Sequence, residues 1–182
     1  MWNPSGHCAK CSKENGVSES GIKSFDAETA TTKQKGNFGE YKADYNLVHN
    51  QSLKDAGYDL KPIGRPAPTS LDDKIVKGID GIYKNQNPES PIKYIIDEAK
   101  YGTSTLSTTK KHGKQMSNPW LTCNNSNNNR ILKAVEDEEL ALDIQMALSR
   151  GQVERVLSKV DEEGNVTTYK LDNNGDIIGT WP

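Results

Sequence analysis

The chain has few apolar residues and no long apolar run. Only 33% of its 182 residues are hydrophobic, so we expect a modest core and a largely polar surface. No apolar stretch approaches the roughly 18 residues that a membrane helix needs, and the N-terminus lacks the apolar segment of a signal peptide. We therefore expect a soluble protein, with one ordinary domain plus appendages and no membrane anchor in this segment.

Cysteine is also scarce, because the sequence contains three, Cys8, Cys11 and Cys123. An odd number in this composition does not indicate a disulfide framework. The stretch HCAKC, residues 7–11, resembles half of a zinc site, but a structural zinc site needs four ligands and no second Cys/His pair follows at a recognisable spacing. We interpret this stretch as the N-terminal remnant of a larger protein, and its role stays open.

Acidic residues are absent from one long window, residues 100–134. The net charge of −2 gives no overall basic field, but this window holds six cations and is followed by the acidic stretch EDEELALD. A basic window beside a carboxylate cluster suits a polyanionic substrate, whereas chance clustering on a solvated surface is the alternative. The six cations are Lys100, Lys110, Lys111, Lys114, Arg130 and Lys133.

The remaining pattern predicts a lead-in followed by one α/β domain. Residues 1–34 are rich in Ser, Thr, Gly and Lys without periodicity, which is typical of a flexible linker. The domain is expected over residues 35–182 and begins with a helix that carries Glu40. We expect the apolar face of this helix to consist of Phe38, Tyr41, Tyr45 and Val48.

Several further elements follow this helix. Residues 74–83, KIVKGIDGIY, and residues 92–102, IKYIIDEAKYG, predict two strands of a β-hairpin. A short helix is expected around Lys114 to Trp120, and a longer one in residues 136–151, with acids in its first turn and Gly151 as its C-terminal cap. The tail from Val153, whose strand-like runs are separated by EEGN and NNGD, predicts a three-stranded β-meander.

Charged residues at the ends of the predicted hairpin are the main functional signal. Side chains alternate between faces along a strand, so Glu98 and Lys100 share one face. If the turn centres near Pro88 or Glu89, Asp80 lies opposite Glu98, and Glu40 could add a third carboxylate. Carboxylates suit Mg²⁺, which in such sites polarises a phosphate and acidifies a bound water. The alternative is a charged pair on an edge strand, which would discourage edge-to-edge pairing.

These residues resemble a known nuclease signature. GID followed by IIDEAK resembles the PD-(D/E)xK motif of the restriction-endonuclease-like superfamily. The wider set KGNFGE, GIDGIY, YIIDEAKYG and GKQMS, within residues 35–120, is similar to toxin domains at the C-termini of bacterial polymorphic toxins. These include contact-dependent growth inhibition proteins and Rhs or YD-repeat proteins. The resemblance implies a mixed sheet flanked by helices, with the meander outside the core pattern.

The resemblance also implies a role for each matching residue. Asp80 and Glu98 would bind Mg²⁺ or Mn²⁺, Lys100 would be the catalytic lysine, and Glu40 would complete or tune the metal site. Ile79 stands where the motif has its proline, a position that varies within the superfamily. Substrate contacts would come from Gln115 near the reacting groups and from the lysines that guide the backbone, Lys110, Lys111 and Lys114.

The function that the resemblance implies is a metal-dependent endonuclease that cuts DNA or tRNA. Such a domain would belong to a larger secreted or cell-surface effector, act in the cytoplasm of a competing bacterium and be neutralised by a cognate immunity protein. A non-catalytic module that binds nucleic acid or a partner, with an inert carboxylate patch, is the main alternative. A structural domain at the end of a repeat region is the third hypothesis.

Overall fold

The computed structural model describes residue 22, residues 24–123 and residues 129–182. The HCAKC stretch and residues 124–128 of the asparagine-rich tract lie outside the described residues.

A six-stranded mixed sheet forms the centre of the molecule, in the order β1-β2-β3-β6-β7-β8. Neighbouring strands are antiparallel except β3 and β6, which are parallel. The mixed α/β class expected from the sequence is therefore confirmed. Its strands are β1 Leu60–Pro62, β2 Gly81–Asn85, β3 Tyr94–Tyr101, β6 Val153–Val160, β7 Val166–Leu171 and β8 Ile177–Thr180, and a separate two-stranded ribbon pairs β4 Thr108–Thr109 with β5 Gly113–Lys114.

Helices cover both faces of this sheet. On one face, Ile96 and Leu157 of the sheet form a cluster with Ile144 of a later helix, and on the other face Ile95 and Val156 form a cluster with Leu47 of the first helix. Fully burying an aliphatic side chain of this size contributes about 1.5–3 kcal/mol. The helices are α1 Thr32–His49, α2 Gln51–Asp55, α3 Asn118–Leu121, α4 Arg130–Val135 and α5 Glu138–Ser149. No helix in the described part of the chain is long and apolar enough to cross a membrane.

The predicted hairpin is confirmed, but its first strand is shorter than expected. Gly81 pairs with Asp97, so the connection is centred on residue 89 as anticipated. Residues 74–80, by contrast, form no strand. Gly78 has a φ of 136°, which an extended strand does not adopt, and Ile75 and Val76 remain exposed. Strand β2 therefore begins directly after Asp80.

Strand β3 lies inside the sheet, because β6 pairs with one of its sides along the whole of Tyr94–Tyr101 and β2 pairs with the other side from Tyr94 to Asp97. The edge-strand alternative for its charged residues is therefore wrong. Asp97 and Glu98 are 1% and 2% exposed, so neither belongs to a solvated surface pair. Asp97 points away from Glu98 and accepts a hydrogen bond from the Ser158 hydroxyl at 2.8 Å.

Helix α1 forms as predicted, and Phe38, Tyr41 and Val48 of its predicted apolar face pack against the core, but Tyr45 does not. Tyr45 is 47% exposed, and the residues turned inward are Asn37, Phe38, Gly39, Ala43 and Leu47. Gly39 and Ala43 leave room for the close approach of the helix to β3. A Cβ atom on Gly39 would lie 3.4 Å from the Cβ of Tyr101. This close approach brings Glu40, the next residue, to the end of β3.

Described residues of the predicted lead-in also pack on α1. The ring of Phe25 stacks on the ring of Phe38 with centroids 3.8 Å apart, and Ile22 is buried in the same cluster. The helix itself begins with a capping box, in which Thr31 and Gln34 exchange hydrogen bonds.

The helix expected around Lys114 to Trp120 is only partly present. Strand β5 occupies Gly113–Lys114, and α3 begins at Asn118. Met116 has a φ of 68° and is fully buried. A side chain in the left-handed region interrupts a helix, so the chain turns at Met116 instead of continuing. The later helix is confirmed as α5, with Glu138 and Glu139 in its first turn and Gly151 following it at a φ of 70°.

Candidate active site

Asp80 and Glu98 meet at the end of the β2–β3 hairpin. The pairing of Gly81 with Asp97 places Asp80 opposite Glu98 by register. Asp80 Oδ2 accepts a hydrogen bond from the backbone N–H of Ala99 at 3.0 Å, which fixes the carboxylate beside β3. The local prediction from strand alternation and turn position is confirmed for this pair.

Glu98 is held by two side chains that donate to the same oxygen. Lys100 Nζ lies 2.6 Å from Glu98 Oε1, and Gln115 Nε2 donates to it at 2.8 Å. The second oxygen, Glu98 Oε2, is buried and has no hydrogen-bond partner. A buried carboxylate oxygen without a donor is costly, and in a cleft it is a marker of function.

The electrostatics of the pair follow from burial and proximity. Burial raises the pKa of Asp80 well above its usual range, and the negative charges of Glu98 and Glu40 raise it further. Burial also raises the pKa of Glu98, although Lys100 and Gln115 oppose this shift. Carboxylates placed together with raised pKa values are a feature of many functional sites, and here Lys100 and Arg65 offset part of their charge.

Arg65 completes the cluster, although no pattern in the sequence points to it. Its Nη2 atom donates to Glu40 Oε2 at 2.8 Å and lies 3.3 Å from Asp80 Oδ1. The loop that carries it is anchored to β2 because Ile63 and Gly64 both donate backbone hydrogen bonds to the carbonyl of Ile82. The short Gly-Arg-Pro sequence in this loop gave no periodic signal from which the contact could be predicted.

Gln115 is positioned by contacts of both its side-chain amide and its backbone N–H. Its Oε1 accepts from the backbone N–H of Ser107 at 2.8 Å, and its own N–H donates to the carbonyl of Ser107. The backbone of Met116 is left-handed, and the Met116 side chain lies in the core while the neighbouring Gln115 side chain reaches Glu98. The segment is therefore held between the ribbon and the core.

The turn between β7 and β8 supports the same segment. Asn118 donates its backbone N–H to the carbonyl of Asn173 at 2.9 Å, and Arg155 donates to the side chains of both asparagines. Gly175 lies so close that an added Cβ would be 2.5 Å from the carbonyl oxygen of Gln115. The C-terminal strands, for which the sequence alone suggests no role, thus support Gln115.

The three predicted guiding lysines lie apart from this cluster. Lys114 Nζ is 2.6 Å from Asp176 Oδ1, an ion pair that faces the β7–β8 turn. Lys110 and Lys111 are exposed in the turn between β4 and β5. None of the three lines the cavity above the carboxylates.

That cavity has a volume of about 600 Å³ and reaches all three predicted acids, Lys100 and Gln115. Residues from α1, from the 75–78 loop and from the ribbon form its walls, with Trp120 and Arg130 at one side. In the described part of the chain, no three His, Cys, Asp or Glu side chains are already grouped to hold a metal ion. Arg65 stands between Glu40 and Asp80, so the pair formed by Asp80 and Glu98 is the candidate metal site.

No protein-family model matches the chain, and the comparisons with curated proteins and with solved structures find no significant match.

Proposed function

We propose that this protein is a metal-dependent nuclease of the PD-(D/E)xK type. The observation that carries the proposal is the convergence of Asp80, Glu98 and Lys100 in one cavity, with Glu98 Oε2 buried and unpaired. The mixed sheet with helices on both faces supports a restriction-endonuclease-like fold ending in a β-meander.

The residues present fit a hard divalent cation. Asp80 and Glu98 offer carboxylate oxygens, which Mg²⁺ and Mn²⁺ prefer, and Glu98 Oε2, which has no hydrogen-bond donor, remains available as a ligand. When bound, such an ion would polarise the scissile phosphate and lower the pKa of a bound water. Glu40, tied to Asp80 through Arg65, tunes the charge of this site.

Lys100 and Gln115 position the reacting groups. The Lys100 ammonium and the Gln115 amide both donate to Glu98 Oε1, so this one oxygen holds both side chains in place. An ammonium has three donors, and those not used by Glu98 orient the attacking water or offset charge that builds on the phosphate. The Gln115 amide has one further N–H, which can donate to a phosphate oxygen or to water.

We infer the biological setting from the sequence resemblance. The domain acts as a toxin carried by a larger secreted or cell-surface effector, cuts DNA or tRNA in the cytoplasm of a competing bacterium, and is neutralised by an immunity protein. A non-catalytic binding module would also use the cavity, but it gives no reason for the unpaired carboxylate oxygen of Glu98.

Cleavage assays test the proposal directly. Purified protein is incubated with plasmid DNA and with total tRNA, in Mg²⁺ and in EDTA. We expect one substrate to be cut only in Mg²⁺, and we expect Glu98→Gln and Lys100→Met each to lower the rate by at least about 100-fold, as for groups at the reacting centre. Glu89→Gln and Lys84→Met make the same chemical changes at exposed positions and serve as matched controls.

The possible results separate the hypotheses. Metal-dependent cutting that the two site variants lose, and that the two controls keep, supports the nuclease and names its substrate. Cutting that survives in Glu98→Gln and Lys100→Met places the active site elsewhere. Absence of cutting on both substrates, together with tight binding of either, favours the binding module.

A further inference from the structure

A second, smaller cavity adjoins the one above the carboxylates. It has a volume of about 180 Å³, and it shares Val76, Lys77, Gly78 and Arg130 with the larger cavity. Because these four residues line both spaces, the two form one groove that begins at Asp80 and Glu98 and continues past Arg130. We call this smaller space the side cavity.

The side cavity is lined by cations and by no acid. Four of its eight lining residues are basic, namely Arg65, Lys77, Arg130 and Lys133, and the others are apolar or glycine. Among the residues that the structure describes, Arg65 has carboxylate partners within ion-pair distance, whereas Lys77, Arg130 and Lys133 have none. Positive charges without internal partners in a cleft attract a polyanion.

Arg130 is held in place by contacts that involve no carboxylate. Its guanidinium carbon lies 4.3 Å from the centre of the Trp120 ring, and its Nη1 donates to the Trp120 carbonyl at 2.5 Å. Trp120 is itself 3% exposed and part of the core. A guanidinium fixed in this way loses little side-chain entropy when its remaining N–H groups meet a phosphate.

The lysines near the ribbon have different surroundings. Lys114 is paired with Asp176 and lines another cavity, of about 860 Å³, whose wall includes the acidic run Asp161, Glu162 and Glu163. Lys110 and Lys111 line neither part of the groove. A polyanion that reaches the carboxylates therefore meets no acidic wall on the Lys77 and Arg130 side, and meets one near Lys114.

We propose that the backbone phosphates of the nucleic acid bind in the side cavity, to Lys77, Arg130 and Lys133, on their way to the carboxylates. This inference rests on the proposed nuclease function and names the surface that carries its substrate. It replaces the predicted guiding role of Lys110 and Lys111.

Fluorescence anisotropy with labelled single-stranded DNA and labelled tRNA, in EDTA to prevent cutting, tests the assignment. The test variant is Lys77→Gln/Lys133→Gln, and the control is Lys110→Gln/Lys111→Gln. All four lysines are exposed, and both variants change the net charge by the same amount. We expect the test variant to bind about tenfold more weakly and the control to change less than twofold.

The salt dependence of binding gives a second readout. Each lost phosphate contact reduces the slope of log K against log salt by about 0.7–0.9, so the test variant should lose roughly twice that and the control almost nothing. Equal losses in both variants would show that only net charge matters and overturn the assignment, as would a loss confined to the control.

The inference can fail separately from the function. If the wild-type protein cuts nucleic acid and the test variant keeps its affinity and salt slope, the assignment of phosphate binding to the side cavity is wrong and the nuclease proposal stands. A wild-type protein that neither binds nor cuts nucleic acid overturns both.

Discussion

Arg65 Nη2 lies 2.8 Å from Glu40 Oε2 and places its positive charge between two acids that the sequence assigned to a metal site. The side chains of Arg65 and Glu40 are 17% and 14% exposed, so the contact is largely shielded from water. A guanidinium in this position offsets the charge of Glu40 and Asp80 within the protein itself. It therefore competes with any cation that approaches these carboxylates.

Replacing Arg65 by Gln should uncover this competition. We expect Arg65→Gln to lower the free energy of unfolding by about 1–3 kcal/mol in EDTA, because two shielded carboxylates lose their positive partner. Mn²⁺ should restore more stability to the variant than it adds to the wild type, since at a given concentration a ligand stabilises the folded state more when it binds more tightly. Urea unfolding with and without Mn²⁺ measures both effects.

Arg150→Gln is the matched control for this prediction, because Arg150 is exposed and has no ion-pair partner in the described part of the chain. It should leave stability and the Mn²⁺ effect almost unchanged. Equal stabilisation of the wild type and Arg65→Gln by Mn²⁺ would contradict the competition.

Asp80→Asn should separate activity from stability. Burial and the charges of Glu98 and Glu40 raise the pKa of Asp80, so its ionised form is disfavoured in the folded protein. Asparagine removes the charge and keeps an oxygen that can accept from Ala99. We expect cleavage to fall by at least about 100-fold, while the free energy of unfolding in EDTA at pH 7 stays the same or rises by about 1 kcal/mol.

Asp55→Asn, an exposed position, is the control for this substitution and should change neither quantity. If Asp80→Asn instead lowered stability by about 3 kcal/mol or more, as the loss of a structural buried ion pair does, the role of Asp80 would be to pair with Arg65 and not to bind a metal ion.

Gly175→Ala should disturb the site from the far side of the C-terminal turn. Gly175 has a φ of 78°, and an added Cβ would lie 2.5 Å from the Gln115 carbonyl oxygen. The clash must displace the segment that holds the Gln115 amide against Glu98. We expect a loss of about 1–3 kcal/mol in stability, together with a cleavage rate that falls more than the fraction of unfolded protein explains.

Gly102→Ala isolates the backbone contribution, because Gly102 has a φ of 57° and open space around its Cβ position. Urea unfolding and cleavage assays on both variants compare conformational strain alone with strain plus displacement. If the two variants lose the same stability and the same activity, the turn does not position Gln115.

The part of the site that could be predicted is the part that local rules determine. Strand alternation and the centre of one turn were sufficient to place Asp80 opposite Glu98, and the register confirms this. Arg65 could not be found in this way. Its position depends on the hydrogen bonds of Ile63 and Gly64 to Ile82, across a proline-rich loop without periodicity.

The fold shows the same division between local and long-range information. The sequence predicted helix α1 and most of its packed face, but it placed Tyr45 in the core wrongly, because a tyrosine combines an apolar ring with a polar hydroxyl and tolerates water at the surface. The close contact of Gly39 with Tyr101 decides the face, and it depends on where β3 lies. The parallel pairing of β3 with β6, which makes β3 an interior strand, also lacks a local signal.

Glu154 offers a test of the fold that does not involve the site. Its carboxylate accepts hydrogen bonds from Tyr58 at 2.9 Å, from the Trp181 indole at 2.7 Å and from Lys170 at 2.5 Å, and so ties β6 to the C-terminus. Burial opposes ionisation, but the hydrogen bonds from Lys170, Trp181 and Tyr58 together hold the pKa of Glu154 below its ordinary value of 4.5.

A carboxylate with a lowered pKa stabilises the folded state above its unfolded pKa, and this contribution disappears as the pH falls through the folded value. The free energy of unfolding of the wild type should therefore fall more steeply below pH 4.5 than that of Glu154→Gln, which should already be about 1–3 kcal/mol less stable at pH 7. Urea unfolding between pH 3 and pH 7 measures both, with the exposed Glu89→Gln as control. Parallel pH profiles for the wild type and Glu154→Gln would show that the three donors do not hold an ionised carboxylate.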